Sequence, residues 1–134
     1  MLAALLFASA LSTCAPPVSQ QDLLARVAYA EARGESLQSQ VAVAWTVRNR
    51  AELYDVQIID VLTVPRQYAH IKGTPQEQRA WLSANIAAQA VLCGANDPTR
   101  GATHFHNIRE LPGWASKMRW KARIGSHDYY ARVR

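Results

Sequence analysis

Tyr29-Ala30-Glu31-Ala32-Arg33-Gly34-Glu35 decides how this chain reads. The stretch closes a helical pattern that starts near Ser19. Counting back from Glu31 at about 100° per residue, Leu24, Val27 and Ala28 fall on its face. Glu31 therefore projects from the apolar stripe of its own helix, where a solvated glutamate would stand on the opposite side. Desolvation there and the negative end of the helix dipole both disfavour the ionised carboxyl. A carboxylic acid kept protonated near neutral pH suits general-acid catalysis. A structural ion pair, with Arg33 or another arginine, is the alternative role for the same side chain. Gly34 fits the position that ends a helix. Glu35, beyond that stop, is expected to be exposed.

Working outward, Ser19 with Asp22 resembles a capping box and predicts a first helix over 19–33. Ser36 caps a second helix over 37–51. Its centre, Val41-Ala42-Val43-Ala44-Trp45-Thr46-Val47, is apolar nearly all round, as in a central buried helix. A strand competes there because Val and Thr are poor helix formers. The spacing of Leu37, Val41 and Ala44 favours the helix. Residues 55–62 form a short mixed segment, and Pro65 makes 64–70 irregular or an edge hairpin. Thr74-Pro75-Gln76-Glu77 offers an N-cap, a proline at N1 and a glutamate at N3. The helix it predicts runs to about Cys93 and stops at Gly94. After the turn cluster 96–101, residues 102–107 read as a strand. Residues 119–123 and 127–133 can pair as a hairpin around Gly125-Ser126. Helices followed by a small sheet make an α+β domain without repeats.

The totals agree with one domain. The chain has 134 residues, 49% of them apolar and 19% charged. That is enough for a single core and unlike a disordered composition. A formal charge of +5, with pI about 9.6, favours an anionic partner. Trp114, Trp120, Tyr129 and Tyr130 alternate with Lys117, Arg119, Lys121 and Arg123. Such a mix serves single-stranded nucleic acid, sugar rings with acidic groups, or only the wet face of a sheet.

Residues 1–18 read as an export leader and spacer, and 19–134 as the folded domain. The apolar run 1–13 is shorter than the roughly 20 residues a membrane span needs and suits a secretory signal. Ala8-Ser9-Ala10 fits a signal-peptidase site. Leu11-Ser12-Thr13-Cys14 resembles a lipoprotein box, which would attach Cys14 to a membrane through lipid. The two cysteines, Cys14 and Cys93, have no metal-site spacing. A disulfide between them is the alternative. Cys93, inside a predicted helix, otherwise reads as a core thiol.

Other chemistries find little support. His104 and His106 share one side of a strand and could be two zinc ligands, but no motif supplies a third. No GxSxG elbow and no Gly-rich phosphate loop occurs. Asp60, Asp97 and Asp128 have no motif placing them opposite Glu31.

Three separated stretches carry a resemblance. Residues 24–35, followed by Gln40-Val41-Ala42-Val43-Ala44 and Asn49-Arg50, resemble the start of the SleB-type cell wall hydrolase domain. Asp97-Pro98-Thr99-Arg100-Gly101-Ala102-Thr103-His104-Phe105-His106-Asn107 is similar to its second signature, and Ile124-Gly125-Ser126-His127 to its closing one. Arg100 replaces one glycine of a pair, His104 and His106 stand where aromatics are usual, and Ile108 replaces a proline.

The resemblance implies a lysozyme-like α+β fold, peptidoglycan glycan strands as substrate, no cofactor, and lytic transglycosylase chemistry with one essential glutamate, Glu31. It makes Gln67, Tyr68, His104, His106 and Asn107 the candidates for the glycan groove. A monomeric, exported enzyme of the periplasm or envelope, from a bacterium or a phage, follows, with no nucleic-acid partner. Amidase activity, or a non-enzymatic basic module binding anionic wall polymer, is the alternative.

Overall fold

The computed structural model describes residues 14–64 and 75–133. The apolar leader 1–13 and the segment 65–74, with Gln67 and Tyr68, lie outside the described residues. Among those described, four α-helices precede the sheet: α1 (Val18–Ala32), α2 (Leu37–Tyr54), α3 (Ile58–Leu62) and α4 (Gln78–Leu92). The strands are β1 (His104–Asn107), β2 (Met118–Ile124) and β3 (His127–Arg132), with a 3₁₀ turn at Gly113–Lys117. The expected α+β order is the observed one.

α2 is the central helix, packed on both α1 and α4. Every residue from Ala42 to Val47 is buried, which explains why the run is apolar all round. Alanines line these contacts: Ala25, Ala28, Ala42, Ala44, Ala84 and Ala88 are fully buried. They lose no side-chain entropy and let the helix axes approach closely. The poor helix former Thr46 is accommodated because its hydroxyl donates to the Val43 carbonyl at 2.6 Å. Ser36 caps α2 as expected, its Oγ accepting from Ser39 N–H at 3.2 Å. The helix outruns its expected end at Ala51, stopping at Asp55 in the left-handed region (φ 52°).

Two helix starts differ from expectation. α1 begins at Val18 after Pro17, and neither Ser19 nor Asp22 caps it. Asp22 instead bonds Arg26 one turn on, at 2.8 Å. α4 begins at Gln78, with Glu77 as N-cap and not N3. The Tyr29 hydroxyl accepts the N–H groups of Gln76 and Glu77 at 3.0 and 3.1 Å. That side chain, 47 residues away, takes the place of a local cap for two backbone donors ahead of the helix.

The sheet has the order β1-β3-β2 with both pairings antiparallel. The expected hairpin turns at Gly125-Ser126, pairing Ile124 with His127. β3 is central, and His127 to Tyr130 are all buried. Of the interleaved aromatic and basic residues, Tyr129 is in the core, while Arg123 and Trp120 Nε1 both bond Asp128. The β2–β3 register shifts between Trp120 and Ala122. At that irregularity the Arg100 guanidinium donates to the Lys121 carbonyl. Arg100 itself has φ 54°, the left-handed geometry that favours the family's glycine.

Cys14 and Cys93 are joined in a disulfide, across a sequence separation of 79. Cys93 is therefore not a core thiol. A Cys14 sulfur bonded to Cys93 also cannot carry a lipid thioether, so this bond and the lipid anchor exclude one another. The link ties the chain ahead of α1 to the end of α4. Thiol titration of unfolded, unreduced protein should find no free thiol. Cys93→Ser should lose about 2–4 kcal/mol in denaturant unfolding, and adding Cys14→Ser should cost little more.

Candidate active site

Glu31 reaches the surface one residue before α1 ends. The stripe behind it is as expected, with Leu24, Val27 and Ala28 fully buried. Glu31 itself is half-buried on the rim of a cleft of about 530 Å³. Arg33 Nε lies 3.5 Å from Glu77 Oε1, and its guanidinium covers the Tyr29 ring.

The opposite wall of the cleft is β1, which α2 holds in place. Asn49 Nδ2 donates to Asp97 Oδ2 and to the Ala102 carbonyl, both at 2.9 Å. Arg50 Nε donates to the Thr103 carbonyl at 2.5 Å. Asp97 also accepts from Thr99 N–H, Thr99 Oγ1–H and Gly101 N–H, at 2.8, 2.7 and 2.9 Å. The Asn49-Arg50 and Asp97-Pro98-Thr99 motifs are thus two halves of one bonded junction.

β1 lines the cleft along its length, from His104 to Asn107. Of the candidate groove residues, His104, His106 and Asn107 stand there with Glu31. The two histidines do face one side, where both pack on Trp114, with ring centroids 5.5 and 5.7 Å away. His106 Nδ1 donates to the Asn107 carbonyl at 2.7 Å, so its Nε2 accepts from the Tyr130 hydroxyl at 2.9 Å. Both ring nitrogens are occupied. Among the described residues no group of three His, Cys, Asp or Glu side chains could hold a metal ion. His104 Nδ1 shares a hydrogen bond with Thr103 Oγ1 at 2.9 Å. Burial, reinforced by the Arg50 and Arg132 charges, pushes its imidazole down to about 4.

Five lining residues escaped the sequence reading as site residues: Arg50, Phe105, Glu110, Trp114 and His127. Trp114 had been grouped only with the interleaved cations, because no local spacing ties the 3₁₀ turn to β1. His127 was legible as part of a signature, but its neighbours were not. It sits between Phe105 and Tyr129, at 5.2 and 6.2 Å, and is 3% exposed. Its Nδ1 is 3.6 Å from Glu35 Oε2. Burial lowers its affinity for a proton, outweighing the attraction of Glu35. Burial, then Glu35 and Glu31, raises the Tyr129 hydroxyl well above the usual tyrosine range.

Glu35 is not the exposed bystander that its place beyond Gly34 suggested. Its Oε1 accepts from Ser126 N–H at 2.9 Å, 91 residues away. A Cβ on Gly125 would collide with this carboxylate and with Ser39 Oγ. Glu35 thus fastens the end of α1 to the β2–β3 turn. The aspartates are also committed elsewhere: Asp60 caps Gln57, Asp97 holds the junction, and Asp128 binds Arg123 at 2.8 Å.

A family model described as Cell Wall Hydrolase matches residues 34–130. The chain belongs to this family. The match begins three residues after Glu31. The spore cortex-lytic enzyme of Oceanobacillus iheyensis is 33% identical over 119 residues, covering 83% of this chain. The chain spans 42% of that relative's length. Among solved structures, the catalytic domain of the germination-specific lytic transglycosylase SleB from Bacillus anthracis superposes with TM-score 0.73 at 26% identity. That match covers 87% of this chain and 97% of the other. The Bacillus cereus SleB catalytic domain gives 0.68 at 29% identity, covering 89% and 97%. The lysozyme-like α+β fold implied by the sequence resemblance is the fold observed.

Two outcomes follow for stability. Glu35→Ala leaves the Ser126 N–H without its acceptor and should cost about 1–3 kcal/mol, measured by denaturant unfolding; Glu35→Gln, which keeps an acceptor oxygen, should cost less. Between pH 6.5 and about 4 the unfolded chain protonates His104 while the folded chain resists it. Stability should therefore fall as pH drops through that window, and His104→Gln should flatten the slope in thermal melts. His127, lowered in the same direction, should leave a residual slope.

Proposed function

We propose that this chain cleaves the glycosidic bond between N-acetylmuramic acid and N-acetylglucosamine in peptidoglycan, as a lytic transglycosylase with Glu31 as its catalytic residue. The observation that carries this is the position of Glu31 on the cleft rim, facing β1, in a chain whose solved relatives include a domain named a lytic transglycosylase.

Glu31 acts twice. As an acid it gives its proton to the glycosidic oxygen, and the bond from that oxygen to the anomeric carbon breaks. As the conjugate base it takes the proton from the 6-hydroxyl of the same muramic acid, whose oxygen closes on the anomeric carbon. The proton count balances and no water is consumed. The attacking hydroxyl is tethered to the reacting ring, which gives it a high effective concentration. The wider two-carboxylate scheme of glycosidases is then unnecessary: Asp60, Asp97 and Asp128 are occupied in holding the fold, and Glu110, the second carboxylate on the cleft lining, takes no part in the scheme. His104, His106, Asn107 and Trp114 form the sugar-facing wall. Gln67 and Tyr68 remain groove candidates from sequence.

The domain is proposed to act outside the cytoplasm as a monomer. The Cys14–Cys93 disulfide supports this, since such bonds persist in oxidising compartments.

Glu31→Gln should remove about 10²–10⁴-fold of the lytic rate while the melting temperature stays near wild type; near-normal lysis of a peptidoglycan suspension by this variant would refute the role. Mass analysis of the digest should find muropeptides ending in 1,6-anhydro-N-acetylmuramic acid, resistant to borohydride. Reducible muramic acid ends would instead mean hydrolysis by water. Released stem peptides on intact strands would mean an amidase, and activity lost to a chelator and restored by zinc would point the same way.

A further inference from the structure

The cleft does not end at His104. Arg50 and His104 also border a second hollow, of about 350 Å³, so the two spaces share a wall. Among the described residues its other sides come from Tyr54 at the end of α2, Val56 in the loop beyond, Val61 of α3 and Val64 after it. Asp60 is the one carboxylate on its lining among the described residues, and Oδ2 of that group accepts the Gln57 N–H at 3.0 Å. On the Tyr54 side, the Arg132 guanidinium lies 5.3 Å over the Tyr54 ring and donates to its hydroxyl. The ion pairs among the described residues use Arg26, Arg33, Arg48 and Arg123, and Arg132 is in none of them.

This lining differs in kind from that of the cleft. Aliphatic and aromatic carbon dominates it, with a cation beside it. A pyranose ring placed there would leave most of its hydroxyls without partners, at a cost in desolvation. A short peptide with methyl side chains and carboxylates fits better: the methyls cover the valines, and a carboxylate meets the guanidinium.

We propose that this hollow receives the peptide stem borne on the lactyl group of the muramic acid being cleaved, with Arg132 binding one of its carboxylates. The assignment rests on peptidoglycan being the substrate and adds a second recognition site on it. The stem leaves the sugar at O3, on the same ring whose anomeric carbon faces Glu31. A site for it must therefore adjoin the cleft, as this hollow does. Strands that carry stems then engage both spaces, and stripped strands only one.

The test compares kcat/KM on length-matched glycan strands with their stems and after removal of the stems by an amidase. Wild type should prefer stem-bearing strands about tenfold, the scale of one charge-assisted contact. Val56→Asp on the exposed loop should reduce the rate on stem-bearing strands to that on stripped ones, leaving the stripped rate unchanged, and Arg132→Gln should bring the ratio of the two rates to one. Equal rates for wild type on both strands would overturn the assignment, and so would variants that slow both strands alike. A gain that follows strand length and not stems would make the hollow a further sugar site and overturn it as well. Calorimetry supplies a readout independent of turnover. N-acetylmuramyl-L-alanyl-D-isoglutamine should bind wild type about tenfold more tightly than N-acetylmuramic acid, and Arg132→Gln should abolish the difference. No difference in wild type would refute the stem site. A wild type inactive on both strands would refute the glycosidic reaction instead, with the calorimetric comparison still deciding the hollow.

Discussion

One side-chain amide ties the two halves of this domain together. Asn49 spends both hydrogens of its amide nitrogen on the segment before β1, one on the Asp97 carboxylate and one on the Ala102 carbonyl. The helices have their own core around α2, but the sheet is only three strands, two of them edges. A sheet that small gains its stability by packing on something else. The Asn49–Asp97 junction, with Arg50 holding Thr103, fixes where it packs. Asp97 is fully used in doing so, its two oxygens serving four donors. The distance across the cleft, from Glu31 on α1 to the histidines of β1, depends on that junction.

The cleft therefore has one wall from each half of the fold. The helical wall supplies the carboxylate. The strand wall supplies a shaped aromatic surface, in which His106, Tyr130 and Trp114 hold one another's orientation. His106 lies nearly parallel to Tyr130, at 26°, and Trp114 meets Tyr130 at 87°. Offset and edge-on contacts of this kind match the charge distribution of the rings. The histidines that replace the family's usual aromatics keep the ring contacts and add polar ones, at Asn107, Tyr130 and Thr103. Glu35 closes the assembly from below by joining α1's end to the β2–β3 turn.

What could be read beforehand was what local pattern encodes. The all-apolar run of 41–47 marked the central helix, and Gly125-Ser126 marked the hairpin. Glu31 on an apolar stripe marked a residue that lines the cleft. What could not be read were partnerships across long separations. Glu35 looked exposed because the helix ends before it, yet its acceptor role depends on Ser126. Tyr29 bonds Gln76 and Glu77 ahead of α4, and the capping pattern at 74–77 contains no hint of that tyrosine. Trp114 enters the cleft because β1 and β2 flank β3, a strand order that spacing alone does not reveal.

Arg100 shows how such a fold can drift away from its family signature. A left-handed backbone there costs an arginine something that glycine would not feel. The guanidinium recovers part of that cost at the Lys121 carbonyl, beside the register shift in β2. The two departures are therefore epistatic: the side chain is tolerable because the irregular strand offers it an acceptor. A signature position can thus be lost without losing the fold, provided the compensating contact lies on a different strand from the one being scanned.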